Sequence, residues 1–121
     1  MALRQRPNKP YDIFLSYAND DLSRVGPLVQ ALESMGWRVW WDRRIPAGRT
    51  FRQVIAAALD DSCCVVVVWT ATSVERNWVL EEAEVGAERG SLIPVFLDDI
   101  QAPFGFRLIQ GARLDTHKRQ D

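Results

Sequence analysis

Residues 73–86, SVERNWVLEEAEVG, hold four glutamates within ten positions: Glu75, Glu81, Glu82 and Glu84. On a helix turning about 100° per residue, with Trp78 at zero, Glu81, Glu84 and Glu88 fall at roughly 300°, 240° and 280°. They share one arc and read as a solvated face. Glu82 falls at about 40°, between Trp78 and Val79 and near Val85 and Gly86. Trp78, Glu82 and Val85 follow the i, i+4, i+7 stripe that is expected to face a sheet. A carboxylate on a packed face is costly unless it is paired, hydrogen-bonded or set at the edge of a cavity. Two readings stay open on these residues. In one, Glu82 accepts bonds from a loop amide or from an arginine such as Arg43 or Arg44. In the other it is an active-site acid on a cleft wall, with Trp78 beside it. No Cys or His cluster has metal-ligand spacing, and the only histidine, His117, sits in a polar tail.

The elements that must position this acid can be read along the chain. YDIFLSY from Tyr11 is a short apolar strand. In ANDDLSRVGPLVQALESMG, Leu22, Val25, Val29 and Leu32 repeat at helical spacing. Asn19 or Asp20 is expected to cap that helix and Gly36 to stop it, with Pro27 making the first turns irregular. WRVWW is a second strand and DRRIPAGRT a loop. Thr50 and Gln53 have capping-box spacing ahead of a short helix with Phe51, Ile55 and Leu59 on one side. CCVVVVW, apolar at every position, expects cover on both faces, as in the middle of a parallel sheet. A helix from about Trp78 to Arg89 follows, ended by Gly90. LIPVFL is a fourth strand, DDIQAPFGFRLIQG is irregular, and ARLD is a short fifth strand. Strands alternating with helices argue for an α/β domain with right-handed crossovers. Ligands of such sheets bind outside the carboxyl ends of the strands, here the loops YANDD, WDRRIPAG, WTATSVERN and LDDI.

With 121 residues, 47% hydrophobic and 26% charged, the chain fits one globular domain. A net charge of −1 with mixed signs gives no electrostatic case for direct nucleic-acid or membrane binding. No apolar run approaches a membrane span and no signal peptide is visible. Cys63 and Cys64 are adjacent inside a strand, read as reduced thiols, and suit a cytoplasmic protein.

Three segments together resemble a known family. YDIFLSY is similar to the first conserved box of Toll/interleukin-1 receptor (TIR) domains. WWDRRIPAGRTF resembles their second box and the loop after it. SVERNWVLEE resembles their third helix, where a tryptophan stands four residues before a glutamate; Trp78 and Glu82 match that spacing and Glu81 does not. The resemblance is closest to bacterial members and runs from about Tyr11 to Leu114. It implies a flavodoxin-like, three-layer fold around five parallel strands, with residues 11–115 as the domain, 1–10 as a flexible arm and 116–121 as a polar tail. The family's usual last helix has no counterpart, so the domain reads as trimmed or incomplete.

The resemblance implies one of two activities. Many members cleave NAD+ at the nicotinamide–ribose bond, some of them cyclising the ADP-ribose; others are scaffolds that assemble with further TIR domains. In the enzymatic members the helix glutamate is catalytic, which lands on Glu82. NAD+ enters as substrate, and no cofactor or metal is implied. The leaving group is already a pyridinium and departs as neutral nicotinamide without a general acid. One carboxylate near the ribose can stabilise the oxocarbenium-like charge. The chain has no nucleophile–histidine constellation, which suits this light requirement better than acyl transfer. Tyr17, Ala18 and Asn19 are expected near the nucleotide, although some relatives carry arginine where Ala18 and Asn19 stand. Asp42 either meets the ribose or orders its loop. Arg43, Arg44 and Arg49 either offset pyrophosphate charge or lie solvated. Trp41 and Phe51 stack on a base or pack in the core, and Trp78 packs on the ligand or on the sheet.

The leading expectation is therefore a cytoplasmic NAD+ glycohydrolase, an effector of bacterial immune or antiphage signalling. It assembles with other TIR domains as homo-oligomers or filaments and is tied to a fused or separate sensor. The alternative is a non-enzymatic TIR scaffold. A response-regulator receiver shares the fold but expects a phosphorylatable Asp after the third strand, where this chain has WTATS. A nucleoside deoxyribosyltransferase-like enzyme would prefer nucleosides to NAD+.

Overall fold

The computed structural model describes residues 8–114; the expected arm and polar tail, with His117, fall almost wholly outside them. Eight main elements alternate: β1 (Tyr11–Ser16), α1 (Leu22–Ser34), β2 (Val39–Trp40), α2 (Phe51–Asp60), β3 (Ser62–Trp69), α3 (Asn77–Glu88), β4 (Leu92–Phe96) and β5 (Ala112–Arg113). The strands form one parallel sheet in the order β2-β1-β3-β4-β5. This is the flavodoxin-like arrangement expected from the sequence, and its direction reverses between β1 and β3.

β3 shows why CCVVVVW is apolar throughout. Val65, Val67 and Trp69 enter the core under α2 and α3, while Val66 and Val68 enter the core under α1. β1 alternates in the same way, Phe14 to the first core and Ile13 and Leu15 to the second. Period-two side-chain alternation thus fixes that Ser16, two residues after Phe14, faces the α3 side.

Local signals set the helix ends. Thr50 Oγ1 accepts from Gln53 N–H at 3.1 Å while the Gln53 side chain accepts from Thr50 N–H at 2.9 Å, the reciprocal pair its spacing predicts. Gly36 and Gly90 take φ of +94° and +69° after α1 and α3, a region that only glycine enters freely. Three expectations need correction. Asn19 and Asp20 do not cap α1: they lie in a 3-10 turn, and Asp21 holds the cap position without a side-chain cap bond. Its carboxylate is drawn away by Thr70 Oγ1, which donates to it at 2.6 Å. Pro27 sits within α1, and the irregular start is that 3-10 turn. WRVWW yields only Val39–Trp40 as ladder.

The stripe of α3 is also rotated from the expected one. Its buried residues are Val79, Glu82, Ala83 and Gly86. Trp78 and Val85 are half-buried and line a groove toward α2. Small residues bring this helix close to the sheet: a Cβ on Gly86 would stand 2.8 Å from Val65 Cβ.

Candidate active site

Glu82 is the buried acid, with 4% of its side chain exposed, while Glu81, Glu84 and Glu88 face solvent. Two segments converge on its carboxylate. Ser16, the last residue of β1, donates from Oγ to Oε1 at 2.7 Å. Arg43, three residues past β2, donates from Nη1 to Oε2 at 2.8 Å and from Nη2 to Oε1 at 2.9 Å. The same Nη2 donates to the Leu15 carbonyl at 2.9 Å. Arg43 is itself 8% exposed, so this is a closed, bidentate ion pair in the interior.

Aromatic rings complete the chamber. The Arg43 guanidinium carbon lies 5.3 Å from the ring centres of Phe14 and Trp40 and 5.2 Å from that of Tyr17. Phe14 and Trp40 stack on each other at 4.9 Å. The Tyr17 hydroxyl donates to the Trp41 carbonyl at 2.8 Å, pinning the start of the arginine-bearing loop. Burial pushes the Tyr17 phenol above its ordinary value, against the opposing pull of Arg43. Arg43 Nε is buried and, like Trp69 Nε1 in the core, has no hydrogen-bond partner among the described residues.

On its other side Glu82 borders a groove of about 250 Å³ between α2 and α3, whose walls include Phe51, Ile55, Trp78 and Glu81. That is slightly below the roughly 300–1,000 Å³ of sites that hold drug-sized ligands. At the β1/β3 reversal a buried network ties the segments that follow the two strands. Besides the Thr70–Asp21 bond, Ser73 N–H donates to Thr70 Oγ1 at 2.9 Å and Ser73 Oγ donates to the Val68 carbonyl at 2.7 Å.

The other expected site residues collect at the same end of the sheet. Ala18 is fully buried, so it can offer a ligand only its backbone, while Asn19 is exposed. Asp42 orders its loop by accepting from the Arg44 N–H at 3.2 Å and from the Arg44 guanidinium, which holds its carboxyl below the usual range. That pair is exposed and adds little stability. Of the three loop arginines, Arg44 and Arg49 are exposed, while the Arg43 side chain is buried: it is neither solvated nor phosphate-facing, and its bond to Glu82 is the arginine pairing that one of the two readings of this acid expects. Trp41 packs against the α1-side core, whereas Phe51 is half exposed in the groove. Ser16 was missed from sequence. Its signal was parity: it is the polar residue on the inward register of Phe14. Among the described residues, no group of His, Cys, Asp and Glu can hold a metal.

Comparison with known proteins adds lineage to this geometry. A family model described as the TIR domain matches residues 13–121. The chain is 32% identical over 74 residues to the 2' cyclic ADP-D-ribose synthase BtTIR of Bacteroides thetaiotaomicron, covering 60% of this chain and 26% of that protein. It is 32% identical over 76 residues to the 2' cyclic ADP-D-ribose synthase AbTIR of Acinetobacter baumannii, covering 61% and 28%. The chain thus spans about a quarter of the length of these curated relatives. Among solved structures, the TIR domain of the Toll-related receptor TRR-2 from Hydra magnipapillata superposes with a TM-score of 0.79 at 23% identity, covering 88% and 87%. At that identity the likeness concerns the fold.

Proposed function

The chain belongs to the TIR domain family, and from that premise we propose that it cleaves NAD+ at the nicotinamide–ribose bond, with Glu82 as the catalytic carboxylate. The observation that carries this reading is one inward carboxylate beside a groove, at the ligand-binding end of the sheet. The names of the two bacterial relatives, both cyclic ADP-ribose synthases, support the same substrate class.

The chemistry asks little of the protein. The C1′–N bond breaks and its electron pair leaves with nicotinamide, turning a cationic ring into a neutral molecule. Positive charge appears on the ribose, and a carboxylate against it lowers the barrier by electrostatic attraction in a site that excludes water. Water then attacks C1′ to give ADP-ribose, or a group of the same ADP-ribose attacks to close a ring. Ser16 holds one carboxylate oxygen in place, Trp78 lines the groove beside it, and Tyr17, Ala18, Asn19, Asp42 and Arg43, at the ends of β1 and β2, are the further residues assigned to the substrate site. No cofactor takes part. The chain acts in the cytoplasm within a bacterial immune or antiphage system, assembled with other TIR domains and coupled to a sensor.

A second reading rests on one specific observation: both oxygens of Glu82 are engaged inside the chain. A pair that never opened would leave a non-enzymatic module whose partners are other TIR domains. Concentrated, assembled protein incubated with NAD+, followed by mass spectrometry of products, decides between them. Nicotinamide with linear or cyclic ADP-ribose is expected. Robust self-association with intact NAD+ would establish the scaffold instead.

A further inference from the structure

We propose that the Arg43 guanidinium fills, from within the chain, a seat built for a planar delocalised cation, and that the pyridinium ring of the substrate takes this seat when the loop of residues 42–50 withdraws. The inference rests on the NAD+-cleaving reading and names a subsite within it.

The seat has the parts that recognise such a cation. A carboxylate, Glu82, supplies the counter-charge at 2.8 and 2.9 Å. Phe14, Tyr17 and Trp40 place three ring centres 5.2–5.3 Å from the guanidinium carbon. Aromatic faces attract flat, weakly hydrated cations. The Leu15 carbonyl accepts one N–H, a role open to the carboxamide of nicotinamide.

Arginine is an imperfect occupant. Its Nε–H is buried without a partner among the described residues. An unmet donor in the interior carries a desolvation cost. An N-alkyl pyridinium has no ring N–H to strand there, so a cation of that class suits the seat better. The position also fits the reaction. A ring held where the guanidinium lies sets its ring nitrogen, and hence C1′ one bond away, beside the Glu82 carboxylate. Loss of the pyridinium's charge on cleavage removes the ring's attraction to the seat, which favours release of the neutral product. Arg43 and substrate exclude one another, so an event that draws the loop outward uncovers the site.

The test uses Arg43→Ala in the full chain with 1-methylnicotinamide, a permanent cation, and nicotinamide, its neutral counterpart. Saturable thermal stabilisation of Arg43→Ala by the cation is expected, with affinity on the order of tenfold or more above the neutral compound. Wild type, its seat filled, shows neither response at the same concentrations. Arg43→Ala/Glu82→Gln, which keeps the cavity and removes the counter-charge, loses the preference. If Arg43→Ala does not fold unaided, recovery on refolding with each compound replaces the melting measurement, and the cation alone is expected to rescue it. Equal responses to both compounds, or none, overturn the seat. Neither readout involves turnover, so a protein that binds the cation yet leaves NAD+ intact refutes the enzymatic reading and not this one.

Discussion

Arg43→Ala leaves the Glu82 carboxylate in the interior with Ser16 as its only remaining side-chain partner of those that hydrogen-bond to it. Side-chain exposures of 8% and 4% put the pair in the buried class. Removing one partner of such a pair costs about 3–5 kcal/mol, because a charge is left uncompensated. The exposed Arg44–Asp42 pair is screened by solvent and adds little by comparison. For a chain of 121 residues, an unfolding entropy near 2.1 cal/mol/K per residue gives about 0.25 kcal/mol/K. Arg43→Ala therefore lowers Tm by about 12–20 °C, and Arg44→Ala by far less. Replacing both partners with apolar residues, as in Arg43→Met/Glu82→Leu, removes the charges together and costs less than the sum of the single changes. Denaturant titration of the two single variants and the double gives the coupling. A loss under about 1 kcal/mol for Arg43→Ala, or additivity within about 0.5 kcal/mol, refutes the closed pair.

Three further outcomes follow from other contacts. Gly86→Ala gains up to about 1 kcal/mol in helix propensity but meets Val65 Cβ at 2.8 Å and Leu92 Cδ1 at 3.2 Å, an overpacking that costs about 1–3 kcal/mol; a net loss in denaturation midpoint is expected, and a gain contradicts the tight α3–sheet approach. Ser16→Ala removes a hydrogen bond to a charged group, so a loss of about 1.5–3 kcal/mol is expected from the same titration, and no change counts against the Ser16–Glu82 contact. Burial raises the Tyr17 phenol above 10.0, so its protonated form is favoured in the folded chain. The corresponding stability is present below pH 10.0 and fades as pH rises through the folded value. Phenolate absorbance should show a late component that Tyr17→Phe abolishes; its persistence in that variant contradicts the assignment.

The layout of sheet and helices was legible because apolar periodicity and end signals agreed. CCVVVVW had to be central, Thr50 and Gln53 had to cap, and Gly36 and Gly90 had to stop helices. Glu82's inward position was legible too, since the wheel sets it apart from Glu81, Glu84 and Glu88. Which side of α3 meets the sheet was misread because hydrophobicity favours the large Trp78. Close approach favours the small residues Ala83 and Gly86, which let the helix sit on Val65. Arg43 stayed open because a long cationic side chain in a Pro- and Gly-bearing loop normally reaches solvent. Its burial depends on a chamber built from β1, β2 and α3, which no local window contains. Asp21 escaped for the same reason: its partner, Thr70, lies 49 residues away.

The most direct measurement is the rate of nicotinamide release from NAD+ by Glu82→Gln set against Glu81→Gln, at equal concentrations of folded, assembled protein. The two variants lose the same charge from adjacent residues on one helix, and only one of those residues faces inward. The account predicts that Glu81→Gln keeps the wild-type rate while Glu82→Gln falls by on the order of 10²-fold or more. Equal rates in the two variants contradict it.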